Sequence, residues 1–249
     1  IPESMNAVAT MTAKQEGGIS GLEIVKMVYD RFQDDVVFTP YFKDGDFVKK
    51  GDVILKIEAT YPTLLRGERL SLNIFQRMSG IATETARYVK ELKGTDTQLL
   101  DTRKTAPGLR VLDKLAVKHG GGTNHRMGLY DMVMIKDNHI KACGSVMNAM
   151  MKVSDAPFFI KKEVEVASLQ DAVIAAEMGA DIIMPDNMGP VATGEVRDHV
   201  KAINPRILIE ASGNIRPENI PDYIGKADIV SMGYLTHSTP SVQFSMDII

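Results

Sequence analysis

The chain has 249 residues, of which 44% are hydrophobic and 24% charged, an ordinary composition for a globular protein with one large core. Its net charge of -3 excludes nucleic-acid or membrane binding driven by global charge. No apolar run approaches the ~18 residues that span a bilayer, and the single cysteine, Cys143, fits a reducing compartment. We therefore expect a cytoplasmic protein without nucleic-acid or membrane partners.

The first third of the sequence predicts mixed α and β structure. Residues Val8 to Ala13 alternate weakly, as in a strand, and Gly21 to Arg31 has the apolar spacing of a helix. Two Gly/Asp turns flank short alternating segments between Phe42 and Glu58, which favours a β-hairpin. A helix is expected from Glu68 to Leu92, with an interruption near Ser79 and Gly80.

The rest of the sequence alternates strands with helices. Short apolar runs predict six strands, at 98–102, 132–136, 158–166, 181–185, 206–211 and 228–232. Helical segments lie between most of them, such as Ser168 to Met178 and Pro217 to Ile224, and the interval from Thr105 to Tyr130 has room for a helix and a short extra strand. Because no GxGxxG follows the first strand, we favour a TIM-like α/β barrel with parallel strands over a dinucleotide-binding sheet.

Cations collect in the loops that follow these strands. Between Thr102 and His139 these loops contain Arg103, Lys104, His125, Arg126, Lys136 and His139. Three glycines, Gly120 to Gly122, precede His125 and Arg126 and allow close backbone approach. This concentration predicts a preformed site for an anion that carries several charges.

Polar residues also lie at the ends of the four remaining predicted strands. They are Glu163 and Glu165, then Asp186 and Asn187, then Ser212, Gly213 and Asn214, and finally Ser231 and Gly233. Unpaired charges inside a barrel are costly, so this rim predicts a ligand. A self-neutralising ladder of Lys161, Glu163 and Glu165 on one strand face remains the alternative.

The last two strand ends favour phosphate binding. Small residues there expose backbone N–H groups, and Ile215 to Asn219 is expected to begin a helix whose positive end attracts an anion. The loops after the last two strands of a barrel are a recurrent phosphate position. Ordinary tight turns are the alternative interpretation.

Three motifs carry a resemblance to a known family. They are Asp101 to Arg110 (DTRKTAPGLR), Gly120 to Arg126 (GGGTNHR) and Ile135 to His139 (IKDNH). Together they resemble the quinolinate phosphoribosyltransferases, also called nicotinate-nucleotide pyrophosphorylases (carboxylating). Shorter matches follow the same family pattern, at Gly67 to Arg69, Ser79 to Thr83, Glu163 to Val166, Asp186 to Asn187 and Glu210 to Gly213.

The resemblance implies an activity and an architecture. Quinolinate and phosphoribosyl pyrophosphate would give nicotinate mononucleotide, pyrophosphate and carbon dioxide in de novo NAD biosynthesis, with Mg²⁺. The fold would be an N-terminal α/β sandwich over residues 1–77, joined by the tail from about 236 to 249, and an open α/β barrel over 78–235. The resemblance also implies a homodimer, or a higher oligomer, with sites at the subunit interface.

The resemblance also implies residue roles. Arg69 would reach into the partner's site. Quinolinate and the phosphates would be faced by Thr102, Arg103, Lys104, His125, Arg126 and Lys136, and the phosphate-binding loops would contain Ser212, Gly213, Asn214, Ser231 and Gly233. Glu165 and Asp186 would lie near the ribose and hold Mg²⁺ through substrate and water. Lys104, Lys136, Glu165 and Asp186 are the expected catalytic residues.

Two departures from the family pattern and three other interpretations remain. Asn214 stands where a second glycine is common, and Pro185 where an aliphatic residue is usual.

A molybdenum-associated paralogue shares the fold, but the intact Lys136 to His139 segment disfavours it. A Schiff-base aldolase would use Lys136 or Lys162, and a non-catalytic anion-binding protein would not need carboxylates beside the cations.

Overall fold

The computed structural model describes residues 2–249. The strands are β1 Asn6–Ala13, β2 Gly17–Gly18, β3 Val37–Pro40, β4 Phe47–Val48, β5 Val53–Thr60, β6 Gln98–Leu100, β7 Val133–Ile135, β8 Lys162–Val166, β9 Ile182–Pro185, β10 Leu208–Ser212, β11 Ile229–Ser231 and β12 Phe244–Ile248. The α-helices are α1 Leu22–Asp30, α2 Tyr61–Glu91, α3 Arg110–His119, α4 Asp137–Cys143, α5 Val146–Met151, α6 Leu169–Glu177, α7 Pro190–Ile203 and α8 Tyr234–His237. Within the described residues, none of these helices combines the length and apolar character that a membrane crossing requires.

The chain divides into two compact units. The first, which we call the sandwich unit, contains Ile1–Arg87, Thr105–Gly122 and Tyr234–Ile249. The second, the barrel unit, contains Tyr88–Lys104 and Thr123–Gly233. The domain boundary expected between residues 77 and 78 stays a prediction.

The sandwich unit is built on a four-stranded antiparallel sheet in the order β12-β1-β5-β3. Alternate residues of β1 are buried, as expected for a strand with one face on a core. Tyr29 of α1 and Phe75 of α2 belong to the same buried cluster as the sheet. Phe75 meets Phe244 of β12 edge to face at 4.8 Å between ring centroids.

Two expectations for this unit are wrong. No hairpin forms between Phe42 and Glu58 in the described structure, because β4 pairs with β2 whereas β5 pairs with β1 and β3. The helix is not interrupted near Gly80, and α2 runs unbroken from Tyr61 to Glu91. Gly80 serves close packing instead, since a Cβ there would lie 2.2 Å from the carbonyl oxygen of Pro240.

The barrel unit contains a six-stranded sheet in the order β6-β11-β10-β9-β8-β7. All its strand pairs are parallel, and α4 to α7 connect successive strands. Thr123 adds a short parallel bridge beside Leu100, and no pairing joins β6 to β7 among the described residues. The predicted open α/β barrel and its six strands are therefore confirmed.

One predicted helix of the barrel unit is wrong. The segment from Pro217 to Ile224 forms only the 3₁₀ turn Ile220–Tyr223. A single short turn lacks the aligned peptide dipoles of a longer helix, so the expected helix N-terminus for an anion is absent from this part of the described chain.

Candidate active site

The carboxyl ends of the six parallel strands surround a pocket of about 340 Å³. Its lining residues are Thr102, Arg103, Lys104, His125, Arg126, Met134, Lys136, Glu165, Met184, Asp186, Glu210, Ser212 and Ser231. Each of the six strands supplies at least one of them, either from its last residues or from the loop that follows. The predicted convergence of cations and carboxylates on one rim is present in the structure.

Two guanidinium groups form the most cationic part of the wall. Burial lowers the pKa of Arg126, and the nearby charge of Arg103 lowers it further. The Arg126 guanidinium is held in place by Met132, whose carbonyl oxygen accepts from Nη1 at 3.2 Å, and by Met134, whose Sδ lies 3.1 Å from Nη2. Two neighbouring guanidiniums repel each other, so this wall is suited to a bound anion.

Carboxylates and an ammonium group lie on the rim formed by β7, β8 and β9. The Lys136 Nζ donates to Glu165 Oε2 at 2.8 Å, and Lys136 is 44% exposed whereas Glu165 is 13% exposed. Asp186 follows β9 and accepts from the Asn187 side chain at 3.0 Å. Glu165 and Asp186 therefore offer oxygen atoms from adjacent strands to the same pocket.

A buried cluster of His125, Glu163 and Glu210, which we call the pocket floor, adjoins the pocket; His125 and Glu210 line it and Glu163 does not. The His125 Nε2 lies 3.1 Å from Glu163 Oε2 and 3.5 Å from Glu210 Oε2. Glu163 and Glu210 are 0% and 1% exposed. Burial acts to lower the pKa of His125, but the two carboxylates outweigh it and raise that pKa from 6.5 to about 9. Burial also raises the pKa of Glu163.

The geometry decides which imidazole nitrogen carries the proton. The backbone N–H of Arg126 donates to His125 Nδ1 at 2.7 Å, so this nitrogen is an acceptor and carries no proton. A raised imidazole pKa alone would place protons on both nitrogens. Because Nδ1 accepts, Nε2 carries the imidazole proton, and the further proton that the cluster holds at neutral pH lies on a carboxylate, in keeping with the raised pKa of Glu163.

Asp101 holds the loop that contains Asn124, His125 and Arg126. It is fully buried at the end of β6. Its carboxylate accepts from the backbone N–H of His125 at 2.8 Å and from the side chain of Asn124 at 2.6 Å. Asp101 thus fixes the loop that carries His125 and Arg126 into the pocket.

Most of the predicted site residues line the pocket. They are Thr102, Arg103, Lys104, His125, Arg126, Lys136, Glu165, Asp186, Ser212 and Ser231. Gly213, Asn214 and Gly233 are not lining residues. Gly213 has a φ of 87°, and a Cβ there would lie 2.2 Å from Asn187 Oδ1, so glycine is required for the turn. Arg69 belongs to the sandwich unit and its side chain is 73% exposed.

Two other expectations are corrected by the contacts. Lys161 pairs with Asp181 at 2.9 Å, so it does not neutralise Glu163 in a ladder along the strand. His139, grouped with the cations in the sequence, instead accepts from the backbone N–H of Lys136 at 2.9 Å and caps α4.

Three lining residues were missed in the sequence, namely Glu210, Met134 and Met184. Each lies two positions before a predicted rim residue, in the order Ser212, Lys136 and Asp186. Because side chains of a strand alternate between faces, residues two apart point the same way. The two-residue alternation of the strands could therefore have identified these three lining residues from the sequence.

Two groups of side chains could hold a metal ion. Glu165 and Asp186 offer only carboxylate oxygens, the donors that Mg²⁺ prefers, and the open pocket leaves room for water and phosphate oxygens. In the buried cluster, ligand atoms of His125, Glu163 and Glu210 all lie within 4.8 Å of one another. The first pair fits Mg²⁺ better because it lacks nitrogen and faces the opening.

Comparison with known proteins agrees with this geometry. The sequence matches the quinolinate phosphoribosyl transferase N-terminal domain over residues 1–79 and the C-terminal domain over residues 81–247. A probable nicotinate-nucleotide pyrophosphorylase (carboxylating) of Archaeoglobus fulgidus is 41% identical over 246 residues, which cover 97% of this chain and 94% of the relative. The nicotinate-nucleotide pyrophosphorylase (carboxylating) of Mycobacterium leprae is 39% identical, with 100% and 88% covered.

A solved structure gives the same result for the fold. The crystal structure of NadC from Streptococcus pyogenes superposes with a TM-score of 0.92 at 42% identity, covering 100% of this chain and 88% of that one. The family profiles together match nearly the whole sequence. This chain belongs to the quinolinate phosphoribosyltransferase family.

Proposed function

We propose that the chain transfers the phosphoribosyl group of phosphoribosyl pyrophosphate to quinolinate in the pocket of the barrel unit. The products are nicotinate mononucleotide, pyrophosphate and carbon dioxide, so the chain acts as a decarboxylating pentosyltransferase in de novo NAD biosynthesis. The observation that carries this proposal is the meeting of two guanidiniums with Lys136, Glu165 and Asp186 in one pocket. An acceptor with two carboxylates and a donor with several phosphates both need such a site.

Quinolinate is the ligand proposed for the guanidinium wall. Its two adjacent carboxylates match the forked donors of Arg103 and Arg126, which bind planar anions at two points. Held in this way, the ring nitrogen can be presented to the sugar carbon without a search through orientations. The apolar walls of Met134 and Met184 suit the flat ring.

The ribose is proposed to lie at the rim beside Glu165 and Asp186. Departure of pyrophosphate builds positive charge on the sugar carbon C1, and a nearby carboxylate stabilises that charge. Lys136 holds Glu165 in place through the 2.8 Å hydrogen bond. Lys104, which is exposed at the pocket, would neutralise the leaving pyrophosphate.

Decarboxylation then needs little from the protein. Once its nitrogen is ribosylated, the pyridine ring is positively charged and can accept the electron pair left at C2 when carbon dioxide departs. A proton must then be added at C2 to complete nicotinate mononucleotide. The residues of the pocket act here by holding the ring in a cationic site.

Mg²⁺ and the remaining phosphate contacts complete the proposal. Glu165 and Asp186 would hold Mg²⁺ through substrate oxygens and water, and the bound ion would neutralise charge on the pyrophosphate. The phosphates would meet the ends of β10 and β11. The residues proposed there are Ser212, Gly213, Asn214, Ser231 and Gly233.

The function is tested with purified protein, quinolinate, phosphoribosyl pyrophosphate and Mg²⁺. Nicotinate mononucleotide is measured by chromatography, and release of carbon dioxide is followed with quinolinate labelled in its 2-carboxyl group. Both products should form in equal amounts and only when both substrates are present. Absence of nicotinate mononucleotide, or trapping of a carbonyl substrate by borohydride, would refute the proposal.

We further propose a homodimer in which Arg69 completes the partner's site, in a cytoplasmic setting. The exposed position of Arg69 on α2 supports its contact with a partner subunit. Mixing the inactive variants Arg69→Ala and Lys136→Ala should then restore activity. Random exchange between two dimers regenerates about one quarter of the sites, because half of the dimers are mixed and each has one intact site. No restoration after demonstrated exchange would contradict shared sites.

A further inference from the structure

Two buried carboxylates at the pocket floor have no part in the proposed reaction. Glu163 and Glu210 are almost completely inaccessible. None of their four carboxylate oxygens has a hydrogen bond of good geometry within the described structure, and their close partner is the Nε2 of His125. Buried charges are costly unless they are compensated, and apolar residues of similar size would fill the space more favourably. Their presence in a barrel interior therefore requires a role.

His125 connects these carboxylates to the guanidinium wall. Its Nε2 faces Glu163 and Glu210, and its Nδ1 accepts from the backbone N–H of Arg126. The side chain of Arg126 continues from that fixed backbone to Met132 and Met134. A rotation of the imidazole would break the Nδ1 hydrogen bond, and the backbone of Arg126 would then no longer be held by His125.

We propose that Glu163 and Glu210 are positioning residues that act through His125. The two carboxylates hold the imidazole in the orientation in which its Nδ1 fixes the backbone of Arg126, and in this way they aim the Arg126 guanidinium at a carboxylate of quinolinate. The inference rests on the proposed function, which supplies the anion. It assigns a role to two residues that the proposed reaction does not otherwise use.

Glu163 provides the cleaner test of this idea. It is fully buried and does not line the pocket, whereas Glu210 does. A change at Glu163 can alter quinolinate binding only through its neighbours, which are His125 at 3.1 Å and the charges of Glu210 and Arg126. Because Glu163→Leu and Glu163→Gln remove the same charge, the difference between them isolates the hydrogen-bond acceptor. The comparison of a variant that keeps a hydrogen-bond acceptor with one that removes it separates positioning from packing.

The variants are Glu163→Leu and Glu163→Gln. Leucine fills a similar volume without an acceptor, and replacing a buried charge by an apolar residue is often tolerated by the fold. We expect Glu163→Leu to weaken quinolinate binding about tenfold or more, because a small misplacement of a binding group is enough for such a loss. Glu163→Gln keeps an amide oxygen for Nε2–H, so its dissociation constant should lie about threefold above that of the wild type.

Isothermal titration with quinolinate alone measures these constants, and the KM for phosphoribosyl pyrophosphate should change less than about twofold. Glu177→Leu, an equal change at an exposed position of α6, is the matched control and should bind quinolinate like the wild type. In a His125→Ala background, Glu163→Leu should cause no additional loss, since both changes break the same connection.

Several results would overturn the inference. A folded Glu163→Leu protein with wild-type affinity would do so, and so would losses from Glu163→Leu and His125→Ala that simply add. If Glu163→Leu does not fold, Glu163→Met, which also removes the acceptor, decides, and a folded Glu163→Met protein with wild-type affinity refutes positioning. If the wild type itself fails to bind quinolinate, the proposed function fails first.

A bound metal is the competing explanation of the cluster. One imidazole and two carboxylates within 4.8 Å could coordinate a divalent cation. Such an ion would require Nε2 without its proton, whereas positioning requires Nε2–H between the carboxylates. Elemental analysis of the purified protein should therefore find no tightly bound metal, and one equivalent that depends on Glu163 would overturn our assignment.

Discussion

The sandwich unit and the pocket floor of the barrel unit both bury carboxylates, but they satisfy them differently. In the sandwich unit, Asp113 is fully buried and accepts from Arg77 Nε at 2.8 Å, from Arg77 Nη2 at 2.7 Å and from the backbone N–H of Ala106 at 3.0 Å. In the barrel unit, Glu163 and Glu210 share one imidazole. A fully bonded buried charge indicates a structural role, whereas incompletely bonded charges mark a functional site.

The largest expected effect is on the structural side of this comparison. Asp113→Ala leaves the Arg77 guanidinium without its carboxylate, and breaking a buried ion pair in this way costs about 3–5 kcal/mol of stability. Denaturant unfolding measures the loss. Quinolinate affinity should be preserved under conditions in which the variant is folded. A loss below about 1 kcal/mol would show that Asp113 is not a structural centre.

Arg126→Ala should affect function rather than stability. Removing a charged hydrogen-bond donor to the substrate is expected to cost about 2–3 kcal/mol in kcat/KM for quinolinate, with a higher KM and a lower turnover together. Steady-state kinetics measures both constants. Arg206→Ala, at an exposed position, is the control and should leave them unchanged. Unchanged kinetics of Arg126→Ala would remove Arg126 from the site.

The pH dependence of stability tests the buried cluster of His125, Glu163 and Glu210. The pKa of His125 is raised from 6.5 to about 9 by Glu163 and Glu210, despite burial, so the folded state holds more protons than the unfolded state between these values. The resulting stabilisation is fully present below pH 6.5 and is lost as the pH rises through 9. Melting temperatures of the wild type should fall more steeply across this window than those of His125→Gln. Parallel curves would contradict the assignment.

The smallest effect is expected at the turn after β10. Asn214 has a φ of 51° and its side chain donates to Asn187 Oδ1 at 3.2 Å. Asn214→Gly relieves the left-handed backbone but removes this exposed hydrogen bond, so stability should change by less than about 1 kcal/mol. The KM for phosphoribosyl pyrophosphate should stay within about threefold. A larger rise would mean that the asparagine side chain itself contacts phosphate.

The sequence allowed the barrel and its rim to be predicted because both depend on local pattern. Each barrel strand is an apolar run that ends in polar residues, so the parallel sheet and the position of Lys136 or Asp186 follow directly. The two errors in the sandwich unit have distant causes. β5 pairs with β1 and β3 rather than with its neighbour β4, and Gly80 packs against Pro240. No local pattern contains such contacts.

The candidate site was predictable to a similar degree. The cations and Glu165 were found from their places at strand ends, whereas Glu210 was overlooked although strand alternation places it on the same face as Ser212. The contacts of His125 with Glu163 and Glu210 could not be predicted. Which carboxylate meets His125 depends on how three separate strands and a loop pack together, and the sequence gives no distances between them.

The central claim is that quinolinate binds against the guanidinium wall of the barrel unit. Crystals soaked with quinolinate test it most directly, because the density locates the two carboxylates. We expect them within hydrogen-bond distance of the Arg103 and Arg126 guanidiniums, with the ring nitrogen open toward Glu165 and Asp186. Quinolinate bound elsewhere, with the pocket of the barrel unit free of it, would contradict the claim.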